Sequence, residues 1–200
     1  MNHNYKEATL NKIQLENDQT GTLDWQLRNP AFNREIEGYA SRTSIKQGAS
    51  LSLFVNTTAD SYSIRIYRMG WYNGLGGRLV KTVYDLKGFK QPIPLPDPDS
   101  GLVECHWNNP YDLKVEPDWT TGVYLALLEE SQTGKQSYIL FVVKRDNTNS
   151  DIIFQLPVTT YQAYNFWGGK SLYDWGSGSN TTWGTVSGKR ACKVSFNRPY

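Results

Sequence analysis

The sequence predicts a mainly β protein: an immunoglobulin-like antiparallel β-sandwich followed by the truncated start of an α/β domain. Three observations carry that prediction. Short apolar–polar alternations recur between residues 50 and 143, with turn signals between them. No stretch before residue 150 holds a sustained 3.6-residue apolar stripe. After residue 150 the texture changes to a short apolar run, a helix-compatible stretch and a loop rich in Gly, Ser and Trp.

The first strand signal is Leu51, Leu53 and Val55, alternating with Ser52, Phe54 and Asn56, the period of two expected of a half-buried strand. Tyr62, Ile64 and Ile66 repeat it. Asn73 to Gly77 breaks the run, and Arg78 to Tyr84 reads as the next strand. Four prolines between Gln91 and Pro98 exclude helix and central strand alike, so this is an extended connection. Val123, Leu125 and Leu127 alternate again. Ser131 to Gly134 supplies a turn, and the apolar run Tyr138 to Val143 suits a strand buried on both faces, completing a hairpin. Asp118-Trp-Thr-Thr-Gly-Val-Tyr124 is like the tyrosine corner of sandwich domains, in which the hydroxyl ties down the preceding loop, though Asp118 stands further from the tyrosine than in that signature.

Lys144 to Ser150 is a polar bridge and marks the domain boundary. The expected organisation is a lead-in over 1–35, a sandwich over 36–148 and an incomplete α/β domain over 149–200. In the last, Asp151 to Leu156 reads as a strand ended by Pro157. Thr159 to Asn165 reads as a helix capped by threonine, and Lys193 to Phe196 as a second strand. Strand, helix, loop and strand without closure cannot bury a core of their own, so the chain reads as a fragment.

Composition narrows the function. The net charge is +2 with both signs interspersed, which predicts no nucleic-acid or membrane-surface partner. No apolar run approaches the roughly 18 residues of a membrane span. The stretch from Met1 to Gly21 lacks the apolar centre of a signal peptide, so the protein is expected in the cytoplasm if Met1 is its native start. The two cysteines, Cys105 and Cys192, match no metal spacing and are read as either paired or free. Seven Trp and thirteen Tyr favour an aromatic core, with a sugar-binding platform as the alternative.

Several motifs dissolve on inspection. Asn73-Gly-Leu-Gly-Gly-Arg78 is followed by no helix signal and fits neither nucleotide fingerprint, so it reads as a hairpin turn. Cys105 and His106 are adjacent, and neighbours on a strand face opposite ways, which argues against a nucleophile–base pair. With only His3 and His106 present, histidine-based catalysis has little support. Gly176 to Ser179 lacks the spacing of a nucleophile elbow and reads as a mobile loop. Asn56-Thr-Thr58 and Asn180-Thr-Thr182 match the glycosylation pattern without a secretion signal. The densest cluster is Tyr161 to Tyr173, directly after a predicted strand, where open α/β sheets place their ligands. Read alone, burial of these rings against the sandwich is favoured over chemistry.

Ile36-Glu-Gly-Tyr-Ala-Ser-Arg42, Ile66-Tyr-Arg-Met-Gly-Trp-Tyr72 with Gly74-Leu-Gly-Gly-Arg78, and Trp119-Thr-Thr-Gly-Val-Tyr-Leu125 form an ordered set. Gln136 to Val143, Tyr161-Gln-Ala-Tyr-Asn-Phe-Trp-Gly-Gly169 and Val194 to Tyr200 continue it. Together they resemble the N-terminal part of proteins related to the large (beta) subunit of N,N-dimethylformamidase, over nearly everything after residue 35. The resemblance implies a sandwich leading into a domain similar to glutamine amidotransferases. It further implies a mononuclear iron held by two tyrosines and a glutamate, acting on a small amide. Tyr161 or Tyr164, and Tyr200, are the candidate metal ligands, with the glutamate beyond the chain end and Asn165 and Trp167 as binding candidates. Iron is expected in the full-length protein and not in the fragment alone, which should be inactive. The rest of the chain or a small subunit is the implied partner. The competing expectation is a non-catalytic module that grips a carbohydrate or a partner protein through its aromatic side chains.

Overall fold

The computed structural model describes residues 11–146, 150, 152–178 and 188–200. Two sheets pack face to face. One has three strands in the order β1 (Ile36–Ala40), β3 (Ser50–Thr57), β6 (Tyr111–Lys114). The other has five, in the order β2 (Ser44–Lys46), β8 (Gln136–Lys144), β7 (Gly122–Glu130), β4 (Ser61–Met69), β5 (Gly77–Lys87). All pairings are antiparallel except one: β2 runs parallel to β8. That departs from the purely antiparallel expectation. The chain leaves β1 at one sheet and enters β2 at the other, and an edge segment that changes sheets without reversing meets its new neighbour in parallel.

The alternations in β3 and β4 face the core as expected: Leu51, Leu53, Val55, Tyr62, Ile64 and Ile66 are buried. In β7 the phase is the reverse of the one read from Val123, Leu125 and Leu127. The inward residues are Tyr124, Ala126 and Leu128. Leu127 is buried as well, on the outer face of the five-stranded sheet. The lead-in segment crosses that sheet, with Ala31 N–H donating to the Gln136 carbonyl and the Trp25 indole donating to the Leu75 carbonyl. In β8, Ile139, Phe141 and Val143 are buried while Tyr138, Leu140 and Val142 are half-buried, close to the two-sided burial expected.

The tyrosine corner is present. The Tyr124 hydroxyl donates to the Thr120 carbonyl at 2.6 Å, and its ring stacks between Trp119 and Phe141. A buried hydrogen bond of this kind contributes about 1–2 kcal/mol. Tyr124→Phe is therefore expected to lower the unfolding free energy by that amount, read as a fall in the urea midpoint with an unchanged slope. An unmoved midpoint would show that the corner ties nothing down.

A helix unforeseen in the sequence, α1 (Lys12–Asn17), is closed by an Asn11–Gln14 capping box. Glu16 fastens it to the sandwich, accepting from Arg78 Nε at 2.6 Å, Tyr72 at 2.7 Å and Thr120 at 3.0 Å. Burial pushes the Glu16 carboxyl up, and these donors outweigh it, so its pKa lies below the ordinary value. The Asn73–Gly77 turn expectation holds: the segment links β4 to β5 through a 3-10 turn at Tyr72–Gly74. The Asn56 side chain, half of one glycosylation pattern, is buried between Glu37 and Gln91. The other pattern, at 180–182, lies outside the described residues, as does His3.

Beyond the sandwich the expected α/β opening is not seen. Among the described residues after 150 there is one helix, α2 (Val158–Tyr164), a 3-10 turn at Trp167–Gly169, and no strand. Ile152, Ile153 and Phe154 belong to no strand and are 85%, 92% and 74% exposed, and Lys193 to Phe196 forms no ladder. An apolar run becomes a strand only beside a neighbour that accepts its backbone hydrogen bonds, and no such neighbour stands there. Pro157, not a threonine, occupies the N-cap of α2, and no side chain caps it. The Gly-rich loop is better held than expected over its described part, with buried Ser177 bonded to Ser171. No helix among the described residues is long and apolar enough to cross a membrane.

Candidate functional site

Residues 188–200 run beside the connection that precedes β6. Cys105 N–H donates to the Asn197 carbonyl at 2.7 Å, and Cys192 N–H donates to the Ser100 carbonyl at 2.8 Å. Ser195 Oγ donates to Glu104 Oε1 at 2.7 Å. This places the chain end against α2. Both segments rest on the outer face of β1 and β3, where Tyr39, Phe54, Val103, Cys105, Trp107 and Trp167 form a second apolar cluster. The three-stranded sheet is thus covered on both sides, and β1 is buried along most of its length.

Where the two segments meet is a pocket of about 360 Å³ lined by Tyr161, Tyr164, Asn165, Phe166, Trp167 and Tyr200. All five candidate site residues line it. The Tyr161 and Tyr200 rings meet edge to face, with centroids 6.4 Å apart. Tyr164 stacks on Tyr173 at 4.3 Å, and Phe166 meets Trp175 edge to face at 5.8 Å. Burial pushes the Tyr200 phenol above its ordinary pKa, against the opposing pull of Gln162 and Arg198.

The polar atoms of the binding candidates are engaged within the protein. Asn165 Nδ2 donates to the Pro199 carbonyl at 2.7 Å, and Asn165 Oδ1 accepts from Trp167 N–H at 3.0 Å. The Trp167 indole donates to Glu37 Oε2 at 2.7 Å, with the Arg34 guanidinium 4.4 Å over its ring. The polar groups left to meet a ligand are therefore chiefly the phenols.

Three residues that hold the pocket were not among the candidate site residues. Arg198 is fully buried and donates to the carbonyls of Gln162, Asn165, Trp167 and Lys170. Gln162 is buried beneath Tyr200, and Glu37 anchors Trp167 from β1. By residue type each reads in sequence as an ordinary surface polar residue, although the Ile36-Glu-Gly, Tyr161-Gln-Ala and Asn197-Arg-Pro-Tyr200 runs that carry the resemblance contain them.

Cysteine chemistry finds no support here. Cys105 and Cys192 are both free thiols, and burial pushes Cys105 up to about 12, while His106 points outward. Among the described residues no three His, Cys, Asp or Glu side chains gather as a metal site.

A family model described as "N,N-dimethylformamidase beta subunit-like, C-terminal" matches residues 63–200, beginning inside β4. No curated protein matches the chain. Among solved structures, the superoxide reductase (neelaredoxin) of Ignicoccus hospitalis is 13% identical, the match covering 62% of this chain and 95% of that one with a TM-score of 0.32. The sulfur carrier protein SoxY of Chlorobium limicola f thiosulfatophilum is 13% identical, with 60% and 84% covered and a TM-score of 0.27. Likeness this distant carries no argument about function.

Proposed function

We propose that this chain, which belongs to the N,N-dimethylformamidase beta subunit-like, C-terminal family, is part of an iron-dependent hydrolase of small amides. In this reading it contributes the sandwich and one wall of the site. The observation that carries the reading is the convergence of Tyr161, Tyr164 and Tyr200 on one pocket from two segments distant in sequence. Phenol oxygens are hard donors suited to ferric iron. Tyr200 with Tyr161 or Tyr164 would hold the metal, and a glutamate from outside the described residues would complete the set, since no carboxylate lines the pocket. Bound there, the iron would supply Lewis acidity toward an amide carbonyl and a water. The chain's own residues do the rest. Phe166 and Trp167 form apolar walls that exclude bulk water, and burial keeps the Tyr200 phenol protonated until a cation displaces its proton. The exposed Ile152-Ile153-Phe154 run is where we place contact with the rest of the protein or a small subunit.

The test is metal analysis and amide hydrolysis on the native-length protein. Iron should co-purify, and Tyr164→Phe and Tyr200→Phe should each lower both iron content and activity by about tenfold or more. Tyr161→Phe assigns the first ligand between Tyr161 and Tyr164. Protein that takes up no iron, or that is indifferent to Tyr164→Phe and Tyr200→Phe, would sink the reading.

The half-exposed ring pairs Tyr164–Tyr173 and Phe166–Trp175 favour a second reading, a non-catalytic module that stacks sugar rings or a partner's side chains. Glycan-array binding that Trp175→Ala abolishes would support it; a blank array together with bound iron would remove it.

A further inference from the structure

Where the chain leaves β1 for β2 there is a second pocket, of about 420 Å³, which shares no lining residue with the tyrosine pocket. Three cations line it: Arg42 from the crossover, Lys46 from β2 and Lys144 from β8. No carboxylate does. Lys46 and Lys144 are direct partners across the parallel β2–β8 pairing, and like charges so placed cost a sheet stability. A single acid answers both: the Asp146 carboxylate stands 2.5 Å from the Lys46 ammonium and 3.6 Å from that of Lys144. The Arg42 guanidinium has no partner among the described residues. Nor do the hydroxyls of Ser44 and Ser50, which also line the pocket. Three cations against one carboxylate give this recess a local excess equal to the +2 of the whole chain.

We propose that this recess binds a phosphate monoester, at a site separate from the tyrosine pocket. A monoester is largely dianionic at pH 7, which matches the local excess. Its oxygens only accept hydrogen bonds, and the three cationic side chains only donate. The Arg42 fork suits two phosphate oxygens at once, the lysines act as point charges, and the serine hydroxyls donate to what remains. The carboxylate that two ammoniums already share shows that an oxyanion fits between them. In the free protein Asp146 neutralises the lysines, and the incoming phosphate takes them over. A bare phosphate ion would leave most of the recess empty, and buried Ile45 with Ala49 gives an apolar lining for the organic part of an ester.

The experiment is isothermal titration calorimetry of the native-length protein at low ionic strength with inorganic phosphate, propyl phosphate, a phosphoserine peptide and glutarate. Propyl phosphate should bind more tightly than inorganic phosphate or glutarate. Comparing it with the peptide separates a small-molecule ester from a phosphorylated chain as the source. Arg42→Gln and Lys46→Gln should each weaken ester binding by about fivefold or more. Lys90→Gln removes an equal, exposed charge outside the pocket and should leave binding unchanged. Asp146→Asn should tighten it by removing the internal competitor. All four side chains are exposed, so the urea midpoint should stay near its unaltered value throughout. No ester binding by the unaltered protein overturns the proposal. Binding indifferent to Arg42→Gln overturns it as well, because the phosphate would then sit elsewhere, a bound metal included. Equal weakening by Lys90→Gln would reveal diffuse attraction in place of a site. Glutarate or bare phosphate bound as tightly as the ester would overturn the choice of ligand.

Discussion

Arg198→Met is expected to disorder the segment from α2 to the chain end while the sandwich stays folded, at a cost on the order of 4 kcal/mol. The guanidinium is fully buried with no carboxylate among its partners, and burial lowers its pKa to about 10. Its charge is held instead by backbone: the carbonyls of Asn165 at 2.7 Å, Lys170 at 2.9 Å, and Gln162 and Trp167 at 3.3 Å, with Gln162 Oε1 at 3.4 Å. Those carbonyls belong to the end of α2 and the 3-10 turn after it, groups that a helix terminus leaves without intrahelical donors. One planar side chain therefore closes the whole 162–170 turn, and methionine would leave four acceptors unpaired in a dry interior. Arg198→Lys should fare little better, because three donors on one nitrogen cannot reach carbonyls arrayed around a plane. Hydrogen exchange read segment by segment checks this. Protection should vanish over 158–178 and 188–200 and persist in β4, β7 and β8. Unchanged protection over 158–178 would show that the turn holds itself.

How far the sequence carried the fold depends on where each element finds its neighbours. β3 and β4 were legible because both faces obey the local alternation: Leu51, Leu53, Ile64 and Ile66 point into one core. β7 lies one residue out of phase with its apparent alternation. Tyr124 has a polar tip and looks like an outward residue, yet its hydroxyl is satisfied locally by the Thr120 carbonyl, which frees the ring to be buried. Leu127 then misled because the lead-in covers the outer face of its sheet, a contact between segments a hundred residues apart that no window can register. The predicted strands at 151–156 and 193–196 failed for the complementary reason: apolar composition proposes a strand, and pairing alone makes one. At the site, the aromatic cluster was visible as a cluster. The residues that organise it were not, because a buried Arg, Gln or Glu is identified by its partners, and those lie in other segments.

The second large effect is expected at Glu37, which the pocket does not contain. Its carboxylate is buried and accepts three hydrogen bonds: Asn56 Nδ2 at 2.9 Å from β3, Trp167 Nε1 at 2.7 Å from the 3-10 turn, and Arg34 Nε at 3.0 Å. Glu37→Ala strands the half-buried Arg34 guanidinium, whose buried Nη2 already lacks a partner, along with an indole N–H and an amide, for a loss on the order of 3 kcal/mol. The same change cuts the polar tie between sandwich and pocket. A seven-residue helix is too short to persist without tertiary support, so the segment it belongs to depends on this docking. Glu37→Ala should therefore abolish protection over 158–178 as Arg198→Met does, but by the opposite route: the turn keeps its internal bonds and loses its platform. A double-mutant cycle with Trp167→Phe separates the two. If Glu37 acts through the indole, the double variant should lose well under the sum of the two single losses, since both substitutions remove the same bond. Additive losses would mean that Glu37 matters to β1 and β3 alone. The sandwich would then be a neighbour of the tyrosine pocket, and no longer the surface that holds it in shape.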